Sequence, residues 1–247
     1  MGLYRTKAIV LRSRNFGEAD RVLVLFSEEC GKFEAVVRGA RRQRSRFVGN
    51  TLPFNYFEGL FFSGKSLDSL SQVELAHSFS GLREDLTRFA YASFWVELID
   101  GFLPEGEEAG EVFRFLLAAF IVLEKAADVE MVNLAFLARL LKYLGYQPEL
   151  KNCTCCGRIP LRDQFFSAET GGVICSACSL QYRDLIPVNP ELLNWFHLLG
   201  ETDLREVEHL KIVKSDRLKL FALLSNFIEN RLERPLKSRV FLDNLCR

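Results

Sequence analysis

The sequence predicts an α+β protein made of several domains, and three observations predict it. Short alternating apolar runs separated by glycine turns fill the first eighty positions. From residue 82 onward the apolar residues recur at helical spacing. Five of the seven cysteines fall in a loop-rich insert at 151–185, between helical stretches. With 247 residues, 49% of them hydrophobic, the chain can bury a sizeable core.

The strands come first. Ala8-Ile9-Val10-Leu11 is a short apolar run. Arg21 to Phe26 begins a segment that stops at the Glu28-Glu29-Cys30-Gly31 turn. In Lys32 to Val37, residues Phe33, Ala35 and Val37 share one face. Phe54, Tyr56, Glu58 and Leu60 to Phe62 continue the pattern, with Gly59 read as a bulge. Ser63 to Ser66 is a turn and Leu67 to Phe79 a last strand region. Five short strands in eighty residues predict a small barrel, the alternative being an unrelated small sheet.

The helices follow. Leu82, Leu86, Phe89 and Ala90 mark one face of a helix running to Leu103, before Pro104. Val112 to Ala127 is apolar nearly all round, which predicts burial. Met131 to Leu144 ends at Gly145, with Pro148 soon after. Asn189-Pro190-Glu191 reads as the cap and first turn of a helix ending near Gly200. Ser215-Asp216 is read as the cap of a long amphipathic helix that stops at Pro235. The domain division expected is 1–80, a helical domain from 81–150 with 186–247, and a module at 151–185.

Formal net charge is zero, from 32 basic and 32 acidic residues, and this conceals a local excess. The first fifty residues hold 11 Lys/Arg against 5 Asp/Glu, a net +6, while residues 81–150 carry a net −6. The first segment is therefore able to attract polyanions. The N-terminus has no apolar signal segment. The longest strongly apolar run, Phe115 to Leu123, is too short for a membrane span. A cytosolic protein without membrane contact is expected, and its cysteines then point to metal or free thiols rather than disulfides.

Cys153-x-x-Cys156 and Cys175-x-x-Cys178 are separated by eighteen residues. Each pair lets two sulfurs of one tight turn reach a single ion, and two such turns complete a tetrahedral set. Gly157 and Gly171-Gly172 supply backbone freedom, and Leu161, Phe165, Phe166, Val173 and Ile174 could cluster beside the ion. Four thiolates leave no open position, so the expected group is one structural Zn2+. A redox or unmetallated set is the alternative, and Cys155 could stand in for Cys153 or Cys156. Cys30 and Cys246 read as small apolar residues.

Arg38, Arg41, Arg42, Arg44 and Arg46 place five arginines in nine positions at a strand end. Guanidinium is planar, permanently charged and able to hold two phosphate oxygens at once. Arg14 and Arg21, with Arg12, Lys7 and Lys32, lie near neighbouring strand ends. Phe16, Phe47, Phe54 and Tyr56 are aromatics that could stack on bases, although such side chains are usually buried. A solvated basic loop is the plain alternative. No Walker A loop, G-x-G-x-x-G or HExxH motif is present, and no carboxylate cluster for two-metal cleavage is evident. The acidic pairs Glu84-Asp85 and Glu107-Glu108 read as helix starts.

Phe16-Gly17-Glu18-Ala19-Asp20-Arg21, Leu25-Phe26-Ser27, Gly31-Lys32 and Arg38-Gly39-Ala40-Arg41-Arg42 together resemble the N-terminal signature of the bacterial RecO family. Leu140 to Pro148 leading into Cys153, then Phe165, Ser167, Gly171, Gly172, Cys175 and Cys178, resemble its helical-to-zinc junction. Leu236-Lys237-Ser238-Arg239 with Phe241-Leu242 resembles its C-terminal end. The resemblance implies an N-terminal OB-fold β-barrel, a helical domain and an inserted four-cysteine zinc-binding module. It implies a non-enzymatic recombination mediator of the bacterial cytoplasm, associated with the nucleoid. Such a protein binds single- and double-stranded DNA, anneals strands and, with RecR, loads RecA onto DNA covered by single-stranded-DNA-binding protein. RecF is a further candidate partner. Arg139 and Lys142 are the candidates to receive the acidic tail of the single-stranded-DNA-binding protein. A nucleic-acid-processing enzyme and a pure interaction scaffold are the competing function classes.

Overall fold

The computed structural model describes residues 2–43, 45–160 and 163–245. Arg44, Leu161 and Cys246 lie outside the described residues. In chain order the elements are β1 (Leu3–Phe16), β2 (Asp20–Ser27), β3 (Gly31–Val37), the single-turn α1 (Phe47–Asn50), β4 (Tyr56–Phe62) and β5 (Asp68–His77). Helices α2 (Ser80–Glu84), α3 (Leu86–Phe102), α4 (Gly110–Lys125) and α5 (Val129–Tyr143) come next. They are followed by β6 (Gln164–Ser167), β7 (Gly172–Cys175), α6 (Ser176–Ser179), β8 (Ile186–Val188), α7 (Pro190–Glu201), α8 (Lys214–Leu232) and α9 (Lys237–Leu245).

The chain groups into two compact units, Met1–Lys125 with Lys237–Arg247, and Ala126–Leu236. The sequence division into three parts cuts the chain elsewhere, at 80/81, 150/151 and 185/186.

In the first unit the strands close into a barrel of order β1-β2-β3-β5-β4, the OB-type arrangement. Strand β1 is much longer than the four-residue apolar run suggests. Its first half pairs with β4 and its second half with β2, and a register shift between Val10 and Arg12 turns the corner. Ala8, Val10, Leu23, Leu25, Ala35, Val37, Phe57, Phe61 and Leu70 fill the interior. Ile9, Leu11, Val22, Val24 and Phe26, on the opposite face of β1 and β2, are buried as well. Helices α3 and α4 pack on those strands, with Phe26 edge-on to Phe113 at 5.5 Å. A strand covered on both faces reads as a continuous apolar run rather than an alternation.

Gly59 is not a bulge. The register shifts of β4 flank it at Tyr56/Phe57 and Leu60/Phe61. A Cβ at Gly59 would meet the Phe61 ring at 2.4 Å, so glycine makes room for that ring in the barrel.

The single helix expected from 82 to 103 is broken at Asp85. Its backbone is extended (φ −106°, ψ 121°), and its carboxylate accepts from the Arg88 N–H at 2.9 Å. A short acidic side chain captures the backbone locally, and α3 restarts behind it as a capped helix. Leu103 is held extended by Pro104, which ends α3. Helix α9 packs on α3, and the Glu97 carboxylate accepts from the Lys237 and Ser238 N–H groups at its start.

In the second unit, α5 starts at Asp128, whose side chain accepts from the Met131 N–H. It ends with Tyr146 N–H bonded to Leu141 O and Gly145 N–H to Lys142 O, the paired closure of a glycine-stopped helix. Asn189 caps α7 through the Leu192 N–H at 2.7 Å, with Pro190 in the first turn. Helix α8 departs from expectation. It begins at Lys214 with Val213 at the cap position, so Ser215 and Asp216 lie inside the first turn, where Asp216 favours the helix dipole. The cysteine insert carries a three-stranded sheet of order β7-β6-β8. Phe166 of that sheet meets Phe227 of α8 edge-on at 5.7 Å.

Candidate functional site

The cysteine set and the arginine run expected from the sequence lie in different units. In the second unit the cysteine centre is assembled by a backbone frame. Gly157 adopts a left-handed φ of +73° and donates its N–H to Cys153 O at 2.8 Å, while Cys153 N–H donates to Arg158 O. This tight turn brings Cys153 and Cys156 together. Thr154 N–H bonds Val173 O, and Val173 N–H bonds Glu149 O, so the turn lies along β7. Cys175 ends β7 and Cys178 sits on α6, one turn later.

The four sulfurs of Cys153, Cys156, Cys175 and Cys178 lie within 4.8 Å of one another. Cys156 Sγ and Cys175 Sγ are 3.8 Å apart. That is far beyond a disulfide bond of about 2.05 Å. It equals the sulfur–sulfur edge of a tetrahedron with metal–sulfur bonds of about 2.3 Å, roughly 3.8 Å. The cluster is thus able to hold a metal ion, and its donor set suits a soft or borderline cation. Burial opposes charge on Cys153, but the N–H groups of Cys175, Cys156 and Cys155 directed at its sulfur outweigh this and bring the thiol down to about 6. Cys178 is pushed up by the neighbouring Cys175 and Cys155 thiols. Four crowded sulfurs cannot all ionise without a cation among them. Cys155 is exposed and outside the set of four. It lies against the Tyr182 hydroxyl, whose proton affinity it raises.

In the first unit, Gly39 and Arg41, just after β3, lie beside the β1–β2 turn. Arg41 N–H donates to Ala19 O at 2.9 Å and Arg41 Nη1 to Gly17 O at 3.4 Å, while Gly39 N–H donates to Asp20 Oδ1 at 2.7 Å. The turn residues Gly17, Ala19 and Asp20 carry no charge run or motif of their own that marks them as a support for the arginines. Their one signal is the Phe16–Arg21 stretch that carries the family resemblance. Arg38, Arg41, Arg42 and Arg46 are exposed or partly exposed and Arg21 is half-buried. Among the described residues neither Arg38 nor Arg42 has an acidic partner. Arg46 donates to Ser71 O at 2.7 Å and lies over the Phe47 ring. Arg14 pairs with Glu34 at 2.9 Å.

The other cations of the barrel do different work. Lys32 is buried and donates to Asp100 O and Oδ1 of α3, and Arg12 meets Asp100 Oδ2 at 2.8 Å. Both tie the barrel to α3. Phe47 and Phe54 are core residues, and Tyr56 is half-buried against Phe113. Phe16 is 46% exposed.

Arg139 and Lys142 both reach the end of α7. Lys142 Nζ contacts both Glu201 carboxylate oxygens at 2.7 and 2.9 Å, and Arg139 Nη1 donates to Thr202 O at 3.2 Å. Lys142 holds the Glu201 carboxyl below the usual range. Beside them is a cleft of about 220 Å3 lined by Ala138, Pro148, Phe196, His197 and Glu201.

A closed OB-type barrel joined to a helical unit that bears a four-cysteine cluster defines a modular protein with one barrel and one metal-capable module. A family model for the N-terminal part of recombination protein O matches residues 1–79, and one for its C-terminal part matches residues 83–240. DNA repair protein RecO of Symbiobacterium thermophilum is 39% identical over 99% of this chain and 98% of its own length. The RecO proteins of Desulforamulus reducens and Pelotomaculum thermopropionicum are 34% and 36% identical, over 99% and 98% of this chain and 96% and 94% of their own lengths. The chain belongs to the RecO family, and its role lies in DNA repair and recombination. Among the described residues, no helix is long and apolar enough to cross a membrane.

Proposed function

We propose that this chain is a cytoplasmic recombination mediator that holds single- and double-stranded DNA on the arginine face of its barrel. It promotes annealing of complementary strands and, with RecR, loading of RecA onto DNA covered by single-stranded-DNA-binding protein. No bond is made or broken. The arginines neutralise phosphates so that two strands can approach. The observation that carries the reading is the segment at 38–42. It is pinned by its backbone to the β1–β2 turn, which leaves Arg38 and Arg42 exposed and without an acidic partner among the described residues. Arg41, Arg46, Arg21 and Arg14 flank them, the last through an ion pair with Glu34 that phosphate would have to displace. Arg44, in the same run, completes the proposed set.

Cys153, Cys156, Cys175 and Cys178 are the proposed ligands of one structural Zn2+, which fixes the shape of the module. Arg139 and Lys142 are proposed to receive the acidic tail of the single-stranded-DNA-binding protein beside the Phe196 cleft, in exchange for Glu201.

The test is a salt series of DNA binding by the metal-loaded chain and by Arg38→Ala/Arg41→Ala/Arg42→Ala. Each lost phosphate contact lowers the slope of log affinity against log salt by about 0.9, so the triple variant should lose about 2–3 from the slope on every sequence. An unchanged slope and affinity would exclude the arginine face as the DNA contact.

A further inference from the structure

We propose that Phe16 is a stacking platform for one unpaired base, and that it gives the barrel a preference for single strands over duplex. This rests on the reading that the arginine face binds DNA.

Phe16 is the last residue of β1 and is 46% exposed. It stands on a hairpin arm that β4 does not reach. The β4 pairing covers Leu3–Ile9 only, whereas Phe16 is paired solely with Asp20 of β2. Three other aromatics of the barrel are engaged inside the fold. Phe47 and Phe54 are buried, and Tyr56 packs on Phe113. The arm is nevertheless held in place. The next residue, Gly17, accepts from Arg41 Nη1, and Ala19 and Asp20 bond the backbone of Arg41 and Gly39. A large apolar ring is thus presented on an anchored turn, with the Arg41 guanidinium on the backbone of the next residue and Arg14 two positions before it on the same strand.

The chemistry of that arrangement selects its ligand. Guanidinium groups contact phosphates of single strands and duplexes alike, so they cannot discriminate between them. A phenyl face can stack only on a base whose own face is free, as in a single strand. Stacking accepts every base, so the preference is for strandedness and not for sequence.

The experiment compares the full metal-loaded chain with Phe16→Ala and Phe16→Trp on an oligothymidine single strand and a duplex of mixed sequence, read by anisotropy over a salt series. Phe16→Ala should bind the single strand about tenfold more weakly, with duplex affinity and both salt slopes unchanged. Phe16→Trp should restore single-strand affinity, and the indole fluorescence it adds to that of Trp95 and Trp195 should be quenched by the single strand and not by the duplex. Equal losses on both DNAs, or an indole signal that neither DNA alters, overturn the assignment. No loss on the single strand, while Arg38→Ala/Arg41→Ala/Arg42→Ala still weakens both DNAs, overturns the Phe16 assignment alone. Unweakened binding by that arginine variant overturns the reading on which both rest.

Discussion

The barrel and the cysteine module solve the same problem, burying enough to stay folded, by different means. The barrel closes on itself, and residues such as Val10, Leu25, Ala35 and Phe57 are fully inside it. Its strands run from seven to fourteen residues. Among its described residues the module has strands of four, four and three residues, and its buried apolar set is little more than Phe166, Val173 and Ile174. Ile159 and Leu180 are 67% and 91% exposed. So few residues cannot enclose a core, and small units of this kind rely on metal or disulfides. In the module, the four convergent sulfurs stand where the barrel has packed side chains.

The sharpest way to break this comparison is to strip the proposed Zn2+ from the four sulfurs. Structural zinc contributes about 10–16 kcal/mol to the folding of isolated zinc-finger peptides, more than any single core side chain. Chelation, or Cys178→Ser, should therefore unfold the segment around β6, β7 and α6 and leave the barrel intact. Amide hydrogen exchange would show protection lost across Gln164–Cys175 and retained across β1–β3. If β6 and β7 stay protected without metal, packing of Phe166 on Phe227 suffices, and the contrast between the two regions fails.

The contrast also governs what can be read from the sequence. The cysteine set is legible because its signal is a spacing, and two tight turns leave little choice of geometry. Strands β2 and β3 are legible from apolar runs bounded by glycine. The full length of β1 is not, because Leu3 to Phe16 is two differently paired halves joined at a bulge, and its exposed end, Arg14-Asn15-Phe16, has no apolar pattern. The Asp85 break is hidden inside a good helical period, since one side-chain hydrogen bond decides it. Lys32 looks like any basic residue near a strand end. Its bond to Asp100 joins positions 68 residues apart, which no local pattern reveals. Likewise Lys142 and Arg139 read as free helical cations, although α7 and the residue after it supply their partners.

A smaller effect should come from emptying the barrel itself. Phe57 is fully buried. Phe57→Ala leaves a cavity in a closed sheet that relaxes poorly, at a cost of about 3–5 kcal/mol. Denaturant unfolding should show that loss in the barrel transition. Metal content, measured by elemental analysis of the purified variant, should match that of the parent chain, as the four sulfurs belong to the other unit. A parallel loss of metal would mean that the two regions do not hold themselves together independently.

The smallest effect tests whether the module's frame contributes beside the proposed Zn2+. Glu149 Oε1 accepts from the N–H groups of Lys151 at 2.7 Å and Asn152 at 2.9 Å, shaping the chain just before Cys153. Those N–H donors, Asn152 first, hold the Glu149 carboxyl below its ordinary range. A carboxyl depressed on folding stabilises the fold fully above its unfolded value of about 4.3 and loses that contribution as pH falls through its lower folded value. The group is largely exposed, so water screens it, and Glu149→Gln should cost less than about 1 kcal/mol at neutral pH. Carbon-detected NMR titration should place the Glu149 inflection below the value of about 4.3 that an unperturbed glutamate shows. If the inflection falls at that ordinary value, the donors do not favour the charged carboxylate. The turn before Cys153 would then owe its shape to the Val173–Glu149 and Glu149–Gly171 backbone bonds.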